Sequence, residues 1–194
     1  MATLTAAAPY PVTLEIDYPE SLDRVTTLFR LLLAIPAMIL MSLVTAAARS
    51  LSLAIVLMLL FRRRYPAPWF EWMRYMTEYQ TRAGAYLGLL TDEYPSTTDE
   101  QRVHLRIDPP NEAILNRWLP LVKWLLALPH WIALYVLFIV AFLVTILAWF
   151  VILIRGRYPR GLFDFVVGVN RWALRATIYA FMLTTDRYPP FSLR

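Results

Sequence analysis

Two charged stripes carry most of the chemistry this chain offers. Glu71, Arg74, Glu78 and Arg82 recur at spacings of three and four, which puts them on one face of a helix, since about eleven residues make three turns. Asp164, Gly168, Arg171 and Arg175 repeat the pattern. Inside a membrane such rows either satisfy one another or line an ion or proton path. Arg49 is a third feature. It interrupts the apolar run from Pro36 to Phe61 with no acid in register. An arginine so placed invites a lipid phosphate, a water cavity or an acid on another subunit. His104 and His130 are isolated and make a poor metal or haem pair. With no Cys, disulfides, thiolate zinc sites and iron–sulfur clusters are excluded. A phosphate-binding Gly loop, Gly-x-Ser-x-Gly and His-Glu-x-x-His are all missing. The residues therefore point to no catalytic role, no metal site and no cofactor.

The elements that must position these residues occur twice. Residues 62–95 open with Arg-Tyr-Pro, run through an aromatic segment and close with Asp-x-Tyr-Pro, and residues 155–189 do the same. The similarity extends upstream. Val12–Pro19 matches Val103–Pro110, and Leu32-Leu33-Ala34-Ile35-Pro36 matches Leu125-Leu126-Ala127-Leu128-Pro129. The chain thus reads as a tail (1–11), a first repeat (12–95), a linker (96–102) and a second repeat (103–194). Val12, Leu14 and Ile16 alternate with polar residues, as do Val103, Leu105 and Ile107, the period of a half-buried strand. The simplest partner for each strand is the other, as a short two-stranded ribbon.

After each strand, Ser21 or Asn111 is placed to cap a helix. Residues 22–35 and their counterparts read as interfacial amphipathic helices. There Arg24, Arg30, Arg117 and Lys123 could snorkel to headgroups. Pro36 and Pro129 bend or restart the chain. Pro129 to Ile154 is long and apolar enough to span a bilayer. Pro36 to Phe61 reads as a second span, or as a hairpin turning at residues 45–50. The stripe-bearing segments Phe70–Leu90 and Phe163–Leu183 either cross with their charges turned inward or lie flat with them in water. If they cross, the protein has four spans and the copies form a parallel repeat about the membrane normal. The basic loops Arg62-Arg63-Arg64 and Arg155-Gly156-Arg157 would then be cytoplasmic and the ribbon outside.

Composition agrees with a membrane protein. Apolar residues make up 59% and charged residues 17% of the 194, against about 45–50% and about 25% in soluble domains. The formal charge of +5 points to anionic lipid rather than nucleic acid. Met1–Pro11 has neither the basic start nor the apolar core of a cleavable signal peptide. The strand ending in Asp-x-Pro, the Leu-Leu-Ala-[Ile/Leu]-Pro motif, Gly156–Phe165, Arg171-Trp172 and Asp186–Phe191 together resemble the bacterial membrane-protein family called domain of unknown function 4389. The resemblance covers nearly the whole chain. Copy one departs from it at Ala67-Pro68, Glu78 and Arg49. It implies an integral protein of the bacterial inner membrane, multi-pass, without an assigned activity.

The expectation is an all-α integral membrane protein: a tandem parallel repeat of interfacial helix, transmembrane helix and amphipathic aromatic helix, with a short ribbon. Its expected role is that of a non-enzymatic accessory or scaffold protein, with anionic lipids and a membrane-protein partner or a second copy as partners. The alternative is a small lipid-handling or ion-conducting protein. The candidate polar or lipid-contact residues are Arg49, Glu71, Arg82, Asp164, Arg171 and Arg175. The candidate interfacial basic residues are Arg62, Arg63, Arg64, Arg155 and Arg157.

Overall fold

The structure is a computed structural model and describes residues 10–194. The expected tail lies largely outside the described residues. Its last two residues, Tyr10 and Pro11, are tied down: Tyr10 Oη donates to Arg187 O at 3.2 Å, and Pro11 O accepts from Asp108 N at 3.0 Å.

The alternating segments pair as expected. Strand β1 (Val12–Ile16) runs antiparallel to β2 (Val103–Ile107). Val12, Leu14, Val103 and Ile107 point inward, while Thr13, Glu15, His104 and Arg106 stay exposed.

Each strand leads into broken helix rather than one amphipathic helix. In copy one these are α1 (Arg24–Leu28) and α2 (Arg30–Leu33), followed by the long α3 (Ile35–Arg62). In copy two a 3-10 turn (Leu119–Leu121) and α5 (Lys123–Leu126) precede the long α6 (Leu128–Arg155). The caps differ from expectation. Asp23, not Ser21, caps α1, its Oδ1 accepting from Val25 N at 2.7 Å and Thr26 N at 2.8 Å. Its counterpart Asn116 accepts from Trp118 N at 2.8 Å. Ser21 and Asn111 come too early because Pro19 and Pro110 are followed by several more non-helical residues. Pro36 and Pro129 sit in the first turn of α3 and α6, where a missing N–H costs nothing. Helix α3 runs unbroken through residues 45–50, so the hairpin alternative does not occur. Helices α3 and α6 are each long and apolar enough to cross a membrane.

Both long helices stop with a left-handed residue, Arg63 (φ 53°) and Gly156 (φ 69°), at matching positions. Glycine takes that conformation without a Cβ clash, whereas arginine pays for it. The chain then turns back along α4 (Ala67–Leu87) and α7 (Arg160–Thr177), the latter ending in a π turn (Ile178–Met182). Helix α4 packs on α3, and α7 on α6. One apolar core joins the three layers: Val12, Leu14 and Ile107 from the ribbon, Phe70, Met73, Phe163 and Val166 from α4 and α7, and Ile55, Leu59, Ala148 and Ile152 from the long helices. Burying each large apolar side chain is worth about 1.5–3 kcal/mol.

The two copies interlock by exchange. At the centre of the ribbon Leu14 faces Leu105, its own counterpart, which sets a two-fold relation through that pair. The same exchange recurs further out. Leu22 N donates to Gly156 O at 2.9 Å, and Arg117 Nε donates to Leu60 O. Tyr18 Oη donates to Tyr158 O, and Tyr65 N donates to Glu112 Oε1 at 2.7 Å. Each copy's lead-in therefore docks on the other copy's basic loop.

A geometric constraint follows. Gly156 is the counterpart of Arg63, so Leu22, bonded to Gly156, lies at the same height along the two-fold axis as Arg63. The chain from 22 to 63 starts and ends at one height. At 1.5 Å per residue α3 is about 42 Å long and the helical lead-in only about 16 Å. The climb of α3 along the axis must be offset by residues 22–34, two of them extended and the rest helical, which limits it to about 23 Å, little more than half the helix length. Helices α3 and α6 thus lie mainly across the axis.

Candidate functional site

Two ion pairs at equivalent positions hold the end of each repeat. Arg30 is buried; its Nη2 pairs with Asp92 and its Nη1 donates to Thr91 O at 3.1 Å. Lys123, fully buried, stands 2.7 Å from Asp186 Oδ1 and donates to Thr185 O at 2.8 Å. Each carboxylate also caps the lead-in, Asp92 accepting from Asp23 N at 2.7 Å and Asp186 from Asn116 N. Each cation lies over a tyrosine, 4.1 Å from Tyr86 and 5.2 Å from Tyr179, a further attraction when desolvated. Burial pushes the Lys123 ammonium below the ordinary lysine value, and Asp186 opposes that shift. Arg30 and Lys123 are thus internal partners of the closing Asp-x-Tyr-Pro motif, not snorkelling anchors. Sequence reasoning missed these pairings. The signal was there, because all four residues recur in the repeat.

The stripe on α4 forms the ladder its spacing implies. Arg74 pairs with Glu71 at 2.9 Å and with Glu78 at 3.5 Å, and Arg82 pairs with Glu78 at 2.7 Å. Arg82 also donates to Ser96 O at 2.7 Å. The stripe on α7 behaves differently. Arg175 does not pair with Asp164, which stays on the surface 3.3 Å from Arg160. The C-terminal residues fold back over α7 instead. Leu193 O accepts from Arg171 Nη1 at 3.2 Å, and Ser192 O lies 3.5 Å from Arg175 Nη1. Arg171 Nε also donates to Leu14 O in the ribbon at 3.0 Å. Arg82 and Arg175 thus share one task, gripping the chain that follows each Tyr-Pro. Burial and the neighbouring Arg171 push the Arg175 guanidinium down from its ordinary value.

Gly168 makes the close approach possible. A Cβ there would stand 2.9 Å from both Leu193 Cβ and Leu193 O. Gly168→Ala is therefore expected to lift the C-terminal segment and cost about 1–3 kcal/mol. Limited proteolysis should then release residues 190–194 faster than from the parent. Unchanged protection would contradict the clamp.

Arg49 lies at the middle of α3, exposed, with no hydrogen bond or ion pair among the described residues. It lines a cavity of about 500 Å³ between the copies. Thr45, Thr77 and Gln80 supply polar groups, and Trp131, Phe181 and Met182 supply apolar walls. Gln80 Nε2 donates to Thr45 Oγ1 at 3.0 Å. The residues of α4 that line this cavity are on the opposite face from Glu78 and Arg82, which line a second hollow under the ribbon. The charged stripe therefore faces the ribbon side, and Arg49 the side of the long helices. The structure does not bring Arg49 together with the stripes.

The basic loop residues Arg62, Arg63, Arg64, Arg155 and Arg157 are all exposed. The two loops lie beyond opposite ends of the ribbon, one bonded to Tyr18 after β1 and the other to Glu112 after β2. His130 accepts from Trp172 Nε1 at 2.9 Å through Nδ1 and stacks on Phe191 at 4.0 Å, a packed aromatic cage. No group of three metal-ligating side chains occurs among the described residues.

The family model for "Domain of unknown function (DUF4389)" matches twice, over residues 24–98 and 118–192. The chain belongs to this family, in two tandem copies. Each match begins at or just before the helical lead-in and ends beyond the Tyr-Pro that closes the repeat, so each contains one buried ion pair and the arginine that grips the following chain. The ribbon strands lie outside both matches. No curated protein and no solved structure matches the chain.

Proposed function

We propose that this DUF4389 protein is a non-enzymatic scaffold lying flat in one leaflet of the membrane, its long helices in the acyl region and its ribbon side in water. The observation that carries this reading is the placement of apolar and charged surface. Leu31, Ile39, Leu43, Leu53 and Phe61 project outward from α2 and α3, and Ile132, Phe142, Leu143, Phe150 and Ile154 from α6. Less than a quarter of the most apolar stretch of either long helix is buried within the chain. That is far more unpartnered apolar surface than a soluble monomer carries. The exposed charges of the ribbon and of α4 lie on the other side.

This reading replaces four crossings in a parallel repeat. If the two-fold axis is the membrane normal, α3 climbs about 23 Å at most, against a hydrocarbon core of about 30 Å. If the axis lies in the membrane plane, the long helices cross in opposite directions, and the ribbon centre falls at mid-depth. Exposed Glu15 and Arg106 would then sit in hydrocarbon, at a cost of several kcal/mol. Lying flat avoids both problems. The arginines at each end can reach anionic phosphates, each worth about 1 kcal/mol. The ribbon and the linker are left facing water as the surface for a partner protein.

Flotation on lipid vesicles tests this. The parent should float with neutral and anionic vesicles, more strongly with the latter, and should resist extraction by high salt. The double substitution Ile139→Glu, Phe142→Glu alters outward side chains only and should move most of the protein out of the floating fraction. A parent that is soluble without detergent, with its apolar faces covered by a second copy, would overturn the reading.

A further inference from the structure

The cavity at Arg49 has a chemistry of its own. The two-fold relation gives most polar residues a counterpart, but Arg49 has none: Phe142 stands at the matching position of copy two. The site therefore occurs once per chain, near the middle of the apolar face and far from the basic loops. It rests on the reading that this face meets lipid.

The donors and acceptors around the cavity define what fits. Arg49 offers a guanidinium with no partner among the described residues, and a guanidinium matches phosphate in a forked geometry. Three of the cavity's four hydroxyls, all but that of Thr177, have already spent their protons within their own helices. Thr45 donates to Met41 O at 2.7 Å, Ser52 to Ala48 O at 2.9 Å, and Thr77 to Met73 O at 2.7 Å. What remains on these oxygens is lone pairs, which accept hydrogen bonds and do not donate them. A bare phosphate would satisfy Arg49 and leave the acceptors of Ser52 and Thr77 unmatched, that of Thr45 being already taken by Gln80 Nε2. A phosphate ester carrying free hydroxyl groups satisfies both. Trp131, Phe181 and Met182 form an apolar wall along which acyl chains can leave. The volume of about 500 Å³ is in the range of small-molecule sites, about 300–1,000 Å³.

We propose that the cavity binds one anionic phospholipid whose headgroup carries free hydroxyls, its phosphate on Arg49 and its hydroxyls on Ser52 and Thr77. A lipid trapped under the centre of a flat-lying protein loses its headgroup water, and this site replaces it.

Native mass spectrometry of the full chain, released from detergent after incubation with defined lipids, tests the assignment. One phosphatidylglycerol per chain should survive. Phosphatidylcholine and phosphatidic acid both carry a phosphate but no free headgroup hydroxyl, and should be retained about tenfold less well, the loss expected for two neutral hydrogen bonds. Arg49→Gln should lose the bound phosphatidylglycerol, Arg49→Lys should keep part of it, and Arg63→Gln should retain it like the parent. Flotation of Arg49→Gln on neutral vesicles should match the parent, which separates the site from the membrane reading. If the parent floats but holds no lipid selectively, the site is wrong and the membrane reading stands; if it does not float, the reading beneath the site fails. If millimolar inorganic phosphate displaces the lipid, Arg49 reads a free anion and the lipid assignment is overturned. Equal retention of phosphatidic acid would remove the role given to the hydroxyls.

Discussion

Asp186→Asn is expected to lower the stability of the detergent-solubilised protein by about 3 kcal/mol, a fall of about 6–12 °C in melting temperature for a chain of this size. The substitution keeps the volume and still offers an oxygen to Asn116 N–H, so the cap stays while the charge and the acceptor facing Lys123 are lost. Lys123 is then a fully buried cation without its counter-ion. Asp186 is itself partly exposed, which places the effect at the lower end of the usual cost for breaking a buried pair, about 3–5 kcal/mol. The defect should shrink as pH rises. Burial holds the folded-state pKa of Lys123 below the ordinary 10.5, and losing Asp186 lowers it further. Between that lowered value and 10.5 the unfolded chain binds the extra proton, so stability climbs with pH. Adding Lys123→Met to Asp186→Asn should recover most of the loss, because an apolar pair leaves no buried charge. Asp92→Asn should behave similarly through Arg30, but without relief at high pH, since a guanidinium keeps its proton. A melting temperature unchanged in both single variants would show that these pairs are not what holds the ends of the repeats.

Much of this fold is legible in the sequence because the chain states it twice. The ribbon follows from alternation at 12–16 and 103–107, and the starts of α3 and α6 follow from Pro36 and Pro129. The Glu71–Arg74–Glu78–Arg82 ladder follows from helical spacing alone. What could not be read involves contacts set by how the chain returns on itself. Arg30 meets Asp92 across 62 residues, and Lys123 meets Asp186 across 63. No local period reports such a meeting. The shared face of Asp164 and Arg175 invites a pair, because side chains are visible in a sequence. The neighbour of Arg175 is the carbonyl of Ser192, and every residue has a carbonyl. The exchange between copies was hidden for the same reason. A duplicated sequence fixes two similar units and says nothing of the axis relating them. That axis turns on which loop Leu22 and Arg117 reach, and both reach the other copy's.

The flat placement of the long helices is the central claim, and single cysteines test it most directly. The native chain has no Cys, so each variant reports from one position alone. Arg63→Cys, Arg157→Cys and Thr97→Cys all place a thiol at an exposed site, one in each basic loop and one in the linker. An impermeant thiol reagent is applied to sealed membrane vesicles of each orientation. The account predicts that all three positions react from the same side of the membrane and are protected from the other. If Arg63→Cys and Arg157→Cys react from one side and Thr97→Cys from the other, the chain crosses as a parallel repeat. If Arg63→Cys and Arg157→Cys react from opposite sides, the long helices cross in opposite directions. Either result would contradict a protein that lies in a single leaflet.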